Sequence, residues 1–408
     1  MNLALMPSAA SRQSRISISG SKSETNRLLL LQAQYPVIAL DNVSDSDDST
    51  AMVEALKSKD PVIDIHHAGT TMRFLSAYFS AQEGKEVILT GSSRMKERPI
   101  KILVEALKQL GADIQYVENE GFPPLKISGK KLTQHKVTLP ADVSSQYISA
   151  LLLVAPQLEN GLELTLEGKI TSVPYINMTL ALLHEIGIET VFDGNKISVV
   201  PKKELHGPQQ LTVESDWSSA SYFYSIAALS EEGTEITLSS YKQNSLQGDS
   251  VLAEIYKSFG VMTHFSDNSI LLKKTVKGIQ AINYDLNASP DIAQTIAVTC
   301  FGLGTGCHLT GLHTLKIKET DRLEALKTEL TKLGAIVAVT DYSLTLEPSS
   351  GIMENVSVST YQDHRMAMAF APLAVKVGIR IEDAEVVSKS YPAFWSDLKS
   401  MGFRISEI

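Results

Sequence analysis

Leu330-Thr331-Lys332-Leu333-Gly334, followed by Ala335-Ile336-Val337-Ala338-Val339, reads as the end of an amphipathic helix, a glycine stop and a strand. Leucines three apart share one helical face, and a glycine just beyond them takes the left-handed conformation that closes a helix. The pattern recurs as Leu107-Lys108-Gln109-Leu110-Gly111, Leu183-His184-Glu185-Ile186-Gly187, Ile255-Tyr256-Lys257-Ser258-Phe259-Gly260 and Leu398-Lys399-Ser400-Met401-Gly402. Successive glycines stand 76, 73, 74 and 68 residues apart. Most copies run on into a strand-like stretch such as Ala112-Asp113-Ile114-Gln115-Tyr116-Val117, and Val53-Glu54-Ala55-Leu56-Lys57 is a weaker first copy without its glycine. A fixed period marks a repeated supersecondary unit, and 408 residues hold about six mixed α/β modules of about 70 residues. The best internal boundary lies near Pro208-Gln209-Gln210, before the strand Leu211-Thr212-Val213. Three modules precede it, so two similar domains of three modules each are expected.

A hydrophobic content of 43%, a charged content of 20% and a mean hydropathy of +0.01 describe an ordinary globular chain with ample core. The net charge of −9 argues against a nucleic-acid partner, which needs a basic surface. Local clusters of Lys and Arg, set against that sign, focus field on small anions instead. Cys300 and Cys307, in and just after the apolar run Ile296 to Gly302, read as buried, reduced thiols of a reducing compartment. Met1 to Arg15 has no apolar core of the secretory kind, and no stretch is long enough to span a bilayer. A cytoplasmic protein without a membrane partner is expected.

Three stretches place a cation in the opening turn of an expected helix: Ser21-Lys22-Ser23-Glu24-Thr25-Asn26-Arg27, Lys318-Glu319-Thr320-Asp321-Arg322 and Asp363-His364-Arg365-Met366. A helix N-terminus carries about half a positive charge, so Lys or Arg there costs a few tenths of a kcal/mol or more. The same N–H groups with a basic side chain make an anion site. Three such starts point to phosphorylated or carboxylated small molecules.

Ser21 with Glu24 has the spacing of a capping box, which leaves Lys22, Ser23 and Arg27 unexplained. The spacing of Gly, Lys and Ser is not that of a P-loop. Gly69, with Thr70 and Thr71 after a strand at Pro61 to Ile65, fits a backbone anion contact as well as it fits an ordinary turn. Gly91 to Pro99 packs Arg94, Lys96 and Arg98 into five residues ahead of a helix expected at Pro99; a solvated loop is the usual meaning of such a run. Ser144, Ser145 and Gln146 supply a cap plus surplus polar groups. Ser289-Pro290-Asp291 has the form of a helix start, which by itself accounts for Asp291. Lys318 to Arg322 is either a surface ion-pair lattice or a site whose acids and bases exchange protons. Asp363 caps, and Lys389 alone would be a plain surface lysine. No Cys/His cluster has ligand spacing, so no metal is expected.

Taken in order from Gly20-Ser21-Lys22-Ser23 to Lys389-Ser390-Tyr391-Pro392, these motifs resemble the 5-enolpyruvylshikimate-3-phosphate (EPSP) synthase family over nearly the whole chain. The most specific pieces are Ser21 to Arg27, Arg94-Met95-Lys96-Glu97-Arg98-Pro99, Lys318 to Arg322 and Asp363-His364-Arg365-Met366-Ala367. The resemblance implies an α/β fold of two similar domains, each of three βαβαββ units, the inside-out α/β barrel of enolpyruvyl transferases. The expected domains are 1–20 plus 213–408, and 21–212, with the active site in the cleft between them. It implies a monomer that joins shikimate 3-phosphate to phosphoenolpyruvate without a cofactor.

Carried over by motif, Lys22, Ser23, Arg27, Ser144, Ser145, Gln146, Ser172, Asp291 and Lys318 would hold shikimate 3-phosphate. Lys22, Gly69, Arg94, Gln146, Arg322, Arg365 and Lys389 would hold phosphoenolpyruvate. Asp291, Glu319 and Lys22 take the catalytic roles, Asp291 as proton acceptor from the 5-hydroxyl, and Tyr175 lines the site. Retention of Gly69 implies room for the inhibitor glyphosate. The chain departs from the family pattern at His67, Phe74 and Thr314. A UDP-N-acetylglucosamine enolpyruvyl transferase is the nearest alternative, but its loop cysteine is missing from Gly91 to Pro99. A non-catalytic anion-binding relative would need the arginines but neither Asp291 nor Glu319.

Overall fold

Helices with no charged residue occupy the interior, and sheets cover them. Every residue of Trp217–Leu229 is buried, as are nine of the ten in Ala293–Gly302, which is the mark of a helix enclosed on all sides. Hydroxyls on these helices satisfy one another: Thr299 Oγ1 donates to Ser225 Oγ at 2.7 Å and lies 2.9 Å from Tyr256 Oη. The strands alternate instead, as in Lys136–Pro140 and Leu162–Glu167, so one face of each sheet meets the helices and the other meets water.

The computed structural model describes residues 1–168, 170, 173–275 and 280–408. Two compact units emerge, Met1–Gly20 with Glu214–Ile408, and Ser21–Val213. One sheet illustrates the repeat. Ile282–Asp285 pairs in parallel with Cys307–Thr310 across the helix Ala293–Gly302; the helix Arg322–Lys332 then leads into the antiparallel strands Val337–Val339 and Leu344–Leu346. This is a βαβαββ module, its parallel pair joined by a crossover helix. The same four-stranded order recurs in five sheets, three in the first unit and two in the second. The five glycines that close the repeated helices all have positive φ, from 74° at Gly260 to 102° at Gly334, where a Cβ would be strained. The sixth module is abbreviated. Its sheet is the parallel pair Ile38–Asp41 and Gln209–Thr212, and its helix Asp47–Lys57 ends at Ser58 with no glycine.

In the first unit the strand Leu3–Leu5 lies antiparallel between Ile379–Ile381 and Ile405–Glu407. Both cysteines are buried and unbridged. No helix among the described residues is long and apolar enough to cross a membrane.

Candidate active site

In the second unit, polar side chains gather where four helices begin or make their first turns: Lys22–Gln34, Gly69–Ser80, Ser145–Val154 and Val173–Glu185. The expected capping box does not form. Ser21 occupies the N-cap position but makes no side-chain cap bond, and Glu24 is buried, so the serine leaves the first-turn amides uncapped. Lys22 and Ser23 are half-buried at that end. Arg27 is fully buried one turn on. Its Nε donates to Thr179 Oγ1 at 2.8 Å, its Nη2 to Ser149 Oγ at 2.9 Å and its Nη1 to the Ser23 carbonyl at 2.7 Å. Burial lowers its pKa to about 10, a measure of how poorly the surroundings compensate the charge. The Arg27 guanidinium carbon lies 5.5 Å from the Phe74 ring centre and 6.0 Å from that of Tyr175.

Gln146 Nε2 donates to Thr70 Oγ1 at 3.0 Å, which ties two of these helix starts together. Ser144 caps its helix by accepting from the Gln146 amide, and Ser145 is buried behind it. The loop before Pro99 departs from expectation. Arg94 is exposed and paired with Glu97 at 2.8 Å, while Arg98 reaches Gly69. A Cβ on Gly69 would stand 2.4 Å from Arg98 Nη1. Arg73, buried beside Arg98, has its pKa lowered to about 10, first by burial and then by that neighbouring cation. The following helix begins at Lys101, two residues later than Pro99. His67, at a family departure, is exposed, 3.7 Å from Asp47. Ser172 lies outside the described residues.

The first unit draws charged groups from two chain segments, 318–322 and 363–365, onto Asp291. Arg322 Nη1 meets Asp291 Oδ1 at 2.9 Å, Arg365 Nη2 meets Oδ2 at 3.2 Å, and Lys318 Nζ lies 3.6 Å away. Arg322 is the hub: its Nε holds Asp363 Oδ2 at 2.6 Å and its Nη2 holds Glu319 Oε2 at 2.6 Å. Each of its three nitrogens thus has a carboxylate of its own, the fork geometry in which Arg exceeds Lys. Burial acts to lower the Arg322 pKa, but Asp363, Glu319 and Asp291 outweigh it and hold the charge firmly in place.

Asp363 caps the helix His364–Phe370 by accepting from the Arg365 amide at 2.8 Å. The two residues before the cap region, Tyr361 and Gln362, have φ of 54° and 57°. Non-glycine residues seldom adopt that region, and such strain clusters at functional sites. Two bonds hold it: Tyr361 Oη donates to Glu329 at 2.6 Å, and Lys389 Nζ donates to the Gln362 carbonyl at 2.8 Å. Lys389 therefore braces the segment that presents Asp363 and Arg365, a role its sequence setting does not reveal.

Behind Arg365 stand two residues without a sequence signal, Ser218 and Asp249. Burial pushes the Asp249 carboxyl up to about 7, with Asp291 adding to the rise and Arg365 opposing it. The unfolded chain loses this proton near pH 4 while the folded state keeps it to about 7. Stability relative to Asp249→Asn should therefore increase as pH falls from about 7 to 4, and be flat above 7; urea titrations at several pH values check the sign.

Comparison with known proteins identifies the family of the chain. The EPSP synthase (3-phosphoshikimate 1-carboxyvinyltransferase) family model matches residues 57–398. A 3-phosphoshikimate 1-carboxyvinyltransferase of Bacteroides fragilis is 46% identical over 405 residues, covering 98% of each chain. One from Colwellia psychrerythraea is 37% identical, covering 94% of this chain and 95% of the relative. Among solved structures, an EPSP synthase from Acinetobacter baumannii superposes with a TM-score of 0.83 at 22% identity over 100% of both chains, a likeness of fold. On the family match and these identities, this chain belongs to the EPSP synthase family.

Proposed function

We propose that both sets of residues serve one reaction, transfer of the enolpyruvyl group of phosphoenolpyruvate to the 5-hydroxyl of shikimate 3-phosphate with release of phosphate. This is the activity in the names of its relatives. The observation that carries it is a carboxylate, Asp291, held among Lys318, Arg322 and Arg365. An anionic substrate arriving there exchanges with Asp291 for the cations and leaves the carboxylate to take a proton.

The 5-hydroxyl oxygen bonds to the enol carbon as its proton passes to Asp291, and a proton is added to the methylene carbon. The tetrahedral intermediate then loses phosphate, and loss of a methyl proton restores the double bond. Glu319, 2.6 Å from Arg322, is suited to the second transfer, and Lys22 is assigned to the phosphate that leaves. Arg365, Arg322, Lys389, Gly69, Gln146 and Arg94 are assigned to phosphoenolpyruvate, with Arg94 exchanging Glu97 for the ligand. Ser23, Arg27, Ser144, Ser145, Ser172 and Lys318 are assigned to shikimate 3-phosphate. The deciding experiment is phosphate release with phosphoenolpyruvate and either shikimate 3-phosphate or UDP-N-acetylglucosamine. Release with the shikimate compound alone, with the enolpyruvyl product identified by mass, supports the assignment; release with the sugar nucleotide alone, or with neither, overturns it.

Two substitutions test the second unit. Arg27→Met removes a buried cation whose hydrogen bonds go to hydroxyls and carbonyls; Thr179 and Ser149 still have each other at 2.9 Å. The unfolding midpoint should move by no more than about 3 °C, while the KM for shikimate 3-phosphate rises at least about tenfold. A large loss of stability with unchanged KM would mark Arg27 as structural. Gly69→Ala displaces only the far end of a flexible arginine, so folding should survive. The KM for phosphoenolpyruvate should rise about tenfold as Arg98 and the new methyl compete for the space, and an unchanged KM would remove Gly69 from that subsite.

A further inference from the structure

Arg365, half-buried with its side chain 14% exposed, is weakly held. Its Nη2 is shared between Asp291 Oδ2 at 3.2 Å and Ser218 Oγ at 3.3 Å, its Nη1 reaches the Asp291 carbonyl at 3.4 Å, and its Nε has no hydrogen-bond partner among the described residues. Ser218, accepting from Arg365, in turn donates its hydroxyl hydrogen to Asp249 Oδ2. Ser218 and Asp249 are both buried. Their backbones are fixed together as well. The Trp217 amide donates to Gln247 Oε1 at 2.9 Å, and Gln247 Nε2 donates to the Ser215 carbonyl at 3.0 Å. The turn Gly248–Val251 and the start of the helix Trp217–Leu229 therefore move as one.

A hydroxyl can rotate, and an unanchored Ser218 would present Arg365 with either its hydrogen or a lone pair. Asp249 removes that freedom by taking the hydrogen, so that Oγ faces Arg365 as an acceptor. We propose that Asp249, acting through Ser218, is a positioning residue that sets the direction of the Arg365 guanidinium toward the carboxylate or phosphate of phosphoenolpyruvate. The charged groups acting on Asp249 are Asp291, Arg365 and Asp216, the last of which caps the Trp217–Leu229 helix through the Ser219 amide at 2.7 Å. Two partners 3.2–3.3 Å away orient a guanidinium without engaging it fully, which suits a group that must release them for a ligand.

The inference rests on Arg365 being a ligand of phosphoenolpyruvate, and the test separates the two ideas. Steady-state kinetics of the full chain are compared for wild type, Arg365→Lys, Asp249→Ala, Asp249→Asn and Ser218→Ala. Asp249→Ala and Ser218→Ala should each raise the KM for phosphoenolpyruvate about tenfold, with the KM for shikimate 3-phosphate within twofold of wild type. Asp249→Asn, whose amide oxygen still accepts from Ser218, should restore most of that loss. Combined with Arg365→Lys, the effect of Ser218→Ala should largely vanish, because the coupled group is gone.

If Arg365→Lys itself leaves that KM unchanged, Arg365 is not a ligand and both ideas fall. If Arg365→Lys raises it while the Asp249 and Ser218 variants stay within twofold, the positioning role alone falls. A parallel rise in both KM values, not rescued by Asn, assigns Asp249 to the scaffold and overturns the proposal. Should Asp249→Ala not fold, Ser218→Ala, which deletes a single oxygen, decides the matter.

Discussion

Arg322→Met is expected to lower the unfolding midpoint by about 10 °C, the largest stability effect of any single change considered for this protein. The side chain is 2% exposed and Asp363 not at all, so neither partner can turn to water. Methionine fills similar volume but leaves Asp363, Asp291 and Glu319 facing one another without their common cation. Breaking a buried ion pair from one side costs about 3–5 kcal/mol, because a desolvated charge is left uncompensated. Lysine keeps the charge but offers one nitrogen where three are used, so Arg322→Lys should fall between the two. A midpoint within about 2 °C of wild type for Arg322→Met would show that the network contributes nothing to the fold. The contrast with Arg27→Met is the sharper test, since the same replacement at two buried arginines should give opposite outcomes. Arg27 gives its hydrogen bonds to hydroxyls and carbonyls, and Tyr175 and Glu24 offset its burial only in part; Arg322 has its charge spent on three carboxylates.

Asp291→Ala should reduce kcat by about a thousandfold, the middle of the range for a lost general base, while both KM values change by less than about fivefold. The fold should tolerate the change better than it tolerates loss of Arg322, because Arg322 keeps Asp363 and Glu319. Asp291→Asn retains shape and hydrogen bonding without the basic oxygen, and should be nearly as slow. Turnover within threefold of wild type in both variants would take Asp291 out of the chemistry and leave it as an anchor for the surrounding cations. Pre-steady-state detection of the tetrahedral intermediate would then show which other group accepts the hydroxyl proton.

Much of the architecture was legible because the module repeats. A helix that must turn sharply into a strand needs a left-handed residue, and that need is written as glycine five times. The abbreviated sixth module was legible only as a missing glycine, since its sheet is completed by Gln209–Thr212, far along the chain from Ile38–Asp41. Cations in opening helical turns pointed to Lys22, Arg322 and Arg365 because they run against the local field. What pattern could not convey was which cation turns inward. Arg94 and Arg98 are alike in sequence, and only packing directs Arg98 to Gly69 and Arg94 to Glu97. Ser218 and Asp249 were silent for another reason: Ser218 lies 147 residues from Arg365, so no local spacing links them. Spacing also misled at Ser21 and Glu24, where a capping box was expected and the serine makes no cap bond.

The threading of the first unit bears on how a ribosome must make it. The two neighbours of Leu3–Leu5, Ile379–Ile381 and Ile405–Glu407, are translated hundreds of residues after it. Ser21–Val213 is all in hand long before then and is free to fold as it leaves the exit tunnel. At common elongation rates the early strand waits on the order of half a minute with both hydrogen-bonding edges unmatched. Only three residues long, it is a poor template for pairing with a neighbouring nascent chain, and its brevity keeps that wait safe.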